Sequence, residues 1–85
     1  MPFTYILQSE TTGRFYIGST QGVASRLTEH NRGQTLSTRG RGPWKLVYQE
    51  SFGDLIEARR RERQLKSWKS HRSIQELIES SRVKS

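Results

Sequence analysis

Phe3-Thr4-Tyr5-Ile6-Leu7-Gln8-Ser9-Glu10-Thr11-Thr12-Gly13-Arg14-Phe15-Tyr16-Ile17-Gly18 decides the architecture, because two alternating runs flank one short polar break. In residues 3–9, Phe3, Tyr5 and Leu7 alternate with Thr4, Ile6 and Gln8, the period of a strand. Ser9 to Gly13 is rich in turn-forming side chains. Residues 14–19 alternate again, Phe15 and Ile17 against Tyr16 and Gly18. Two such strands around a short turn predict an antiparallel hairpin. Tyr5 and Tyr16 are close to symmetric about Thr11, so their rings are expected to be cross-strand neighbours. They read as ordinary sheet aromatics or as phenols that order a water and take its proton. Gly18 either admits a substrate backbone or solves a packing problem.

Working outward, Thr20 or Gln21 can begin a helix with Val23, Ala24 and Leu27 on its apolar face. Gly33 is its expected cap. Arg26 and His30 lie four apart on one flank. Residues 34–43 are polar and glycine-bearing, a loop expected to be mobile before ligand binds. Residues 44–50 predict a third strand, with Leu46 and Tyr48 opposite Lys45 and Val47. Asp54 is a plausible N-cap for a helix over 55–69, with Glu57 completing a capping box. Ser70 to Ser73 interrupts it, and Ser73 can cap a last helix over 74–80 that turns Ile74, Leu77 and Ile78 inward. Residues 81–85 are expected to fray. The order β-β-α-β-α-α predicts an α/β layer over residues 1–85, one domain, with a three-stranded antiparallel sheet flanked by three helices.

The long second helix carries Glu62 between Leu55 and Ala58 on a helical wheel, while Arg59, Arg60 and Arg63 point away. A carboxylate on an inward face must be satisfied, either by a bound cation or by a salt bridge such as one to Arg26. The surrounding arginines, Arg61 included, read as a solvated back face.

The chain has 85 residues, 31% of them hydrophobic, so its core is small. Without cysteine, disulfides and thiolate zinc sites are excluded. No apolar run reaches the roughly 20 residues of a membrane span, and no signal peptide is recognisable. A cytoplasmic or nucleoid-associated protein away from membranes is expected. Fifteen Lys and Arg against eight Asp and Glu give a formal charge of +7, which favours phosphate backbones through counterion release. Walker loop, zinc histidine pair, dinucleotide fingerprint and nucleophile elbow are all missing.

Arg26 can hold a phosphate in a bidentate way or stand as a solvated surface arginine. His30 can be a base, a phosphate donor or a helix cap. Arg39, Arg41 and Lys45 interleave with glycines and Trp44, a pattern that tracks phosphates, and Trp44 either stacks on a base or packs in its strand.

These residues resemble the GIY-YIG nuclease superfamily, above all its small stand-alone members, over about residues 3–79. Phe3-Thr4-Tyr5, followed by Ile6-Leu7, stands at the first motif, and Tyr16-Ile17-Gly18 matches the second intact. The segments Arg26-Leu27-Thr28-Glu29-His30-Asn31 and Arg41-Gly42-Pro43-Trp44-Lys45-Leu46-Val47 follow in order, then Glu57-Ala58 with Glu62 and Lys66. Some repair relatives carry a lysine where this chain has Ser19. The resemblance implies an α/β fold and hydrolysis of a DNA phosphodiester with one divalent ion, Mg²⁺ or Mn²⁺, in a repair or recombination setting. It implies Glu62 as metal ligand, Tyr16 as the residue that activates water or relays its proton, and Arg26 as clamp on the scissile phosphate. Tyr5 then orders the site and His30 stands near the phosphate, while Arg39, Arg41, Lys45 and Lys66 are expected, from the basic pattern, to contact DNA. Characterised relatives often borrow a second domain for target choice, so a targeting protein is an open partner, as is the oligomeric state. The alternatives are a non-catalytic nucleic-acid-binding module on the same fold and a protein-interaction module.

Overall fold

The computed structural model describes residues 1–33 and 39–82. Its elements are β1 (Phe3–Ser9), β2 (Phe15–Thr20), α1 (Val23–Asn31), β3 (Trp44–Ser51), α2 (Leu55–Ser67) and α3 (His71–Arg82). This is the expected order, with three antiparallel strands in one sheet and three helices. The spatial order is β2-β1-β3, so β1 is central and β2 is an edge.

The turn between β1 and β2 is organised by Ser9. Its hydroxyl accepts from the backbone N–H of Thr11 and Thr12 at 3.2 and 3.0 Å. It also donates to the Arg41 carbonyl at 2.6 Å. The N–H of Glu10 donates to the Pro43 carbonyl at 2.9 Å. Residues 41–43 are thus tied to the hairpin turn. Residues 34–38, where the rest of the expected mobile loop falls, lie outside the described residues, as do the last three positions of the chain.

The central strand divides its side chains between two layers. Ile6 faces Leu65 of α2 and Ile74 and Ile78 of α3, with Phe15, Ile17, Val47, Tyr48 and Leu77 around them. Tyr5 and Leu7 face the other way, with Trp44, Tyr16, Leu46 and Leu27 of α1. One helix therefore covers one face of the sheet and two cover the other. The Thr4 hydroxyl, fully buried, donates to the Ala58 carbonyl at 2.6 Å and fastens α2 to β1.

Several boundaries differ from expectation, each for a local reason. Thr20 still pairs with Phe3 in the sheet, so α1 starts at Val23 behind Gly22. Ala24 is exposed. A register shift between Ile6 and Leu7 makes Leu46 the partner of Leu7 and Tyr48 the partner of Ile6. Leu46 and Tyr48 consequently join opposite layers, while Val47 joins Tyr48. Asp54 caps α2 as expected, accepting from the Glu57 N–H at 2.8 Å. That helix ends at Ser67, because Lys69 takes a left-handed φ of 48°. The cap of the last helix is Ser70, whose hydroxyl oxygen accepts from the Ser73 N–H at 3.1 Å, so α3 begins at His71. It runs through residues 81 and 82, which were expected to fray. Arg61 is not a solvated back residue: it donates to Glu50 of β3 at 3.1 Å and lies 5.9 Å from the Trp68 ring.

Candidate active site

Tyr5, Tyr16 and His30 pack together on one face of the sheet and Glu62 meets β2 from the other, with the Glu62 and Arg26 charges both acting on the Tyr5 hydroxyl. Tyr5 sits opposite Gly18 in the register and Tyr16 opposite Leu7, so the two tyrosines are diagonal rather than directly paired. Their ring centroids are 6.4 Å apart. Gly18 is what makes room: a Cβ there would lie 2.7 Å from the Tyr5 Oη and 2.8 Å from its Cζ. The glycine thus solves a packing problem, letting the Tyr5 ring cross the edge strand.

Beyond Gly18 the Tyr5 hydroxyl meets His30 Nε2 at 3.2 Å. His30 is the buried residue of α1, 2% exposed, and its ring centroid is 4.6 Å from that of Tyr16. Burial, and then the Tyr16 phenol, push the Tyr5 hydroxyl well above the usual tyrosine range. The nearby Arg26 charge opposes that shift, while Glu62 and Glu29 reinforce it. Tyr5 therefore stays protonated. Burial also lowers the His30 pKa below 6.5, helped by Arg26 and opposed by Glu29. The imidazole is uncharged at neutral pH. Arg26 itself is 44% exposed and rests on Glu29 at 3.3 Å, a surface pair of about 0.5 kcal/mol that a phosphate can replace.

Glu62 approaches from the other layer. Its Oε1 accepts from the Ser19 hydroxyl of β2 at 2.6 Å, and its Oε2 from the Lys66 ammonium at 2.6 Å. The carboxylate is 19% exposed, against 52% for Lys66. The expected inward carboxylate is present, but its ion-pair partner is Lys66 and not Arg26. Among the described residues no three His, Cys, Asp or Glu side chains cluster as metal ligands. Glu62 alone supplies a hard oxygen donor. That fits Mg²⁺ or Mn²⁺ held chiefly by water and substrate phosphate, provided that the Lys66 amine, 52% exposed, leaves Oε2.

The remaining expected contacts are less concentrated. Arg39, Arg41 and Lys45 are exposed; the Arg39 Nε donates to the Gly33 carbonyl at 2.9 Å. Trp44 is 5% exposed, in a T-shaped contact with Tyr16 at 6.4 Å between centroids, so it packs and does not offer a stacking face. Asn31 does more than close α1. Its Oδ1 accepts from the Trp44 N–H at 2.7 Å and its Nδ2 donates to the Trp44 carbonyl at 3.1 Å, clasping β3 to the end of the helix. Ser19 and Asn31 carry no local sequence signal for these roles, because both act across long separations.

The GIY-YIG catalytic domain family matches residues 1–75. A UPF0213 protein of Clostridium perfringens is 39% identical over 85 residues, covering 99% of this chain and 89% of that protein. A UPF0213 protein of Staphylococcus aureus is 35% identical over 78 residues, covering 91% of this chain and 94% of that one. The solution NMR structure of a UPF0213 protein from Bacillus halodurans aligns with a TM-score of 0.57 and 36% identity, over 93% of this chain and 84% of that chain. The chain therefore belongs to the GIY-YIG family, a nuclease superfamily, alongside its small UPF0213 proteins.

Proposed function

We propose that the protein is a metal-dependent endonuclease that hydrolyses DNA phosphodiester bonds at the β2 edge. The convergence of Tyr5, Tyr16 and His30 from one layer with Glu62 from the other carries this reading. In hydrolysis a water oxygen bonds to phosphorus as the bond to the 3′-oxygen breaks; the water gives up a proton to solvent and the leaving 3′-oxygen takes one up from solvent. Arg26 exchanges Glu29 for the scissile phosphate and offsets charge that builds on it. Tyr16 orients the water and passes on its proton. Tyr5, protonated and bonded to His30, fixes the uncharged imidazole beside Tyr16. Glu62 would hold a divalent ion, which would supply positive charge to offset the negative charge that develops at the scissile phosphate. Lys66 pairs with the carboxylate until substrate arrives; its ammonium end is 52% exposed, so an i,i+4 contact of this kind contributes little and water or substrate can take its place.

The second reading, a nucleic-acid-binding module without catalysis, draws on the same carboxylate, since both Glu62 oxygens already have protein partners. Cleavage of labelled duplex, single-stranded and branched DNA with Mg²⁺ or Mn²⁺ separates the two. Wild type should yield metal-dependent products, and Glu62→Gln and Arg26→Ala should lose at least about 100-fold in rate while keeping the fold. Full activity in those variants would overturn the assignment; DNA binding without products from wild type would favour the second reading.

A further inference from the structure

We infer that a groove beside the candidate active site is a subsite for one unstacked nucleotide flanking the cleaved phosphate, and this rests on the nuclease reading above. The groove has a volume of about 410 Å³ and runs between β2 and the α2–α3 joint. Its floor is apolar, made by Leu65 and Ile74 with Ile17. On one wall Phe15 and His71 are stacked at 4.5 Å between centroids with only 20° between planes. Arg14 and Lys69 stand at the rim, and no carboxylate lines the groove. Among the described residues neither Arg14 nor Lys69 takes part in an ion pair. The groove ends at Tyr16 and Lys66, and Lys66 is the partner of Glu62. A strand whose phosphate lies at Arg26 and Glu62 therefore has its next nucleotide within reach of this wall.

The chemistry of the lining selects the occupant. A flat aromatic pair above an apolar floor receives a base, and cations at the rim receive the flanking phosphates. A base stacked inside a duplex cannot enter, so the groove favours unpaired or frayed strands. Lys69 holds its rim position with a left-handed φ of 48°, a conformation that costs a lysine about 1 kcal/mol. The strained joint turns the chain so that His71 comes to Phe15.

The test uses the full chain and two fluorescein-labelled probes, a single-stranded oligothymidylate and a hairpin duplex of equal charge, with anisotropy read in EDTA at pH 8. Arg14→Gln, Lys69→Asn and His71→Ala should each weaken binding of the single strand about fivefold or more, with smaller changes for the hairpin. Asparagine tolerates the left-handed backbone, and all three residues are exposed, so the fold is retained. Arg60→Gln, which removes the same charge from a different face of α2, should change neither probe appreciably. Equal losses on both probes, or no effect of His71→Ala, would overturn the subsite and leave a plain phosphate patch at most. Because binding is read without metal, a failure of cleavage by the wild type would count against the nuclease reading alone.

Discussion

Gly18 shows how a single missing atom positions a site. Tyr5 is 2% exposed, and a new methyl group at Gly18 would lie 2.7 Å from its Oη, so the ring would have to shift within the packed layer. Gly18→Ala should therefore push the phenol off His30 and destabilise the fold by about 1–3 kcal/mol, the usual cost of overpacking. Thermal denaturation would measure the loss, and the His30 ring resonances in NMR would report the displaced hydroxyl. Unchanged stability with unchanged His30 signals would contradict the packing role. The glycine was visible in the sequence, but its purpose was not, because the register that sets Tyr5 across from it is a property of paired strands. Glu62 was more legible. Its inward placement follows from helical phase, and its bond to Lys66 follows from i,i+4 spacing. Its bond to Ser19 spans 43 positions and has no local signature.

At the scale of elements, α1 is held to the sheet by polar as much as apolar contacts. Val23 and Leu27 are only half-buried, while His30 is buried and Asn31 clasps Trp44. The helix interior thus depends on an uncharged imidazole. The folded-state pKa of His30 lies below its unfolded value of 6.5, so the unfolded chain binds the extra proton first as pH falls. The contribution is fully present above pH 6.5 and is lost as pH drops through the lowered folded value. Tyr5, Tyr16, Arg26 and Glu29 are the titratable or charged groups around it, and Arg26 adds to the lowering. Melting temperatures of wild type and His30→Gln between pH 7.5 and 5 should show a steeper acid loss in wild type. Parallel curves would remove His30 from that role. The strand and helix types were readable from periodicity, but the bulge in β3 was not. A shift of one residue sends Leu46 and Tyr48 to opposite layers, and nothing in the alternation of residues 44–50 announces it.

The whole molecule divides its labour between the two faces of one small sheet. The layer around Tyr5, Leu7 and Trp44 forms the wall of the candidate site, whereas the layer around Ile6, Leu65, Ile74 and Ile78 holds α2 and α3 in place. Basic composition points to a phosphate-binding surface class, yet composition has no means of saying which cations line a groove and which cover a helix back. Arg14, Lys69 and Arg61 illustrate this, since only packing separates the first two from the third. The same division predicts that stability and site function can be perturbed separately. Ile78 is 2% exposed at the heart of the second layer and itself lines neither the candidate active site nor the groove, although it shares its cluster with the groove floor residues Leu65 and Ile74. Ile78→Val should cost about 1 kcal/mol, lowering the melting temperature by roughly 4–8 °C in a domain of this size. At 15 °C, where the variant is still folded, its affinity for DNA and any cleavage rate should equal those of wild type. A deficit at 15 °C, with circular dichroism unchanged, would mean that the rear layer transmits its packing to the β2 edge and that the two faces act as one unit.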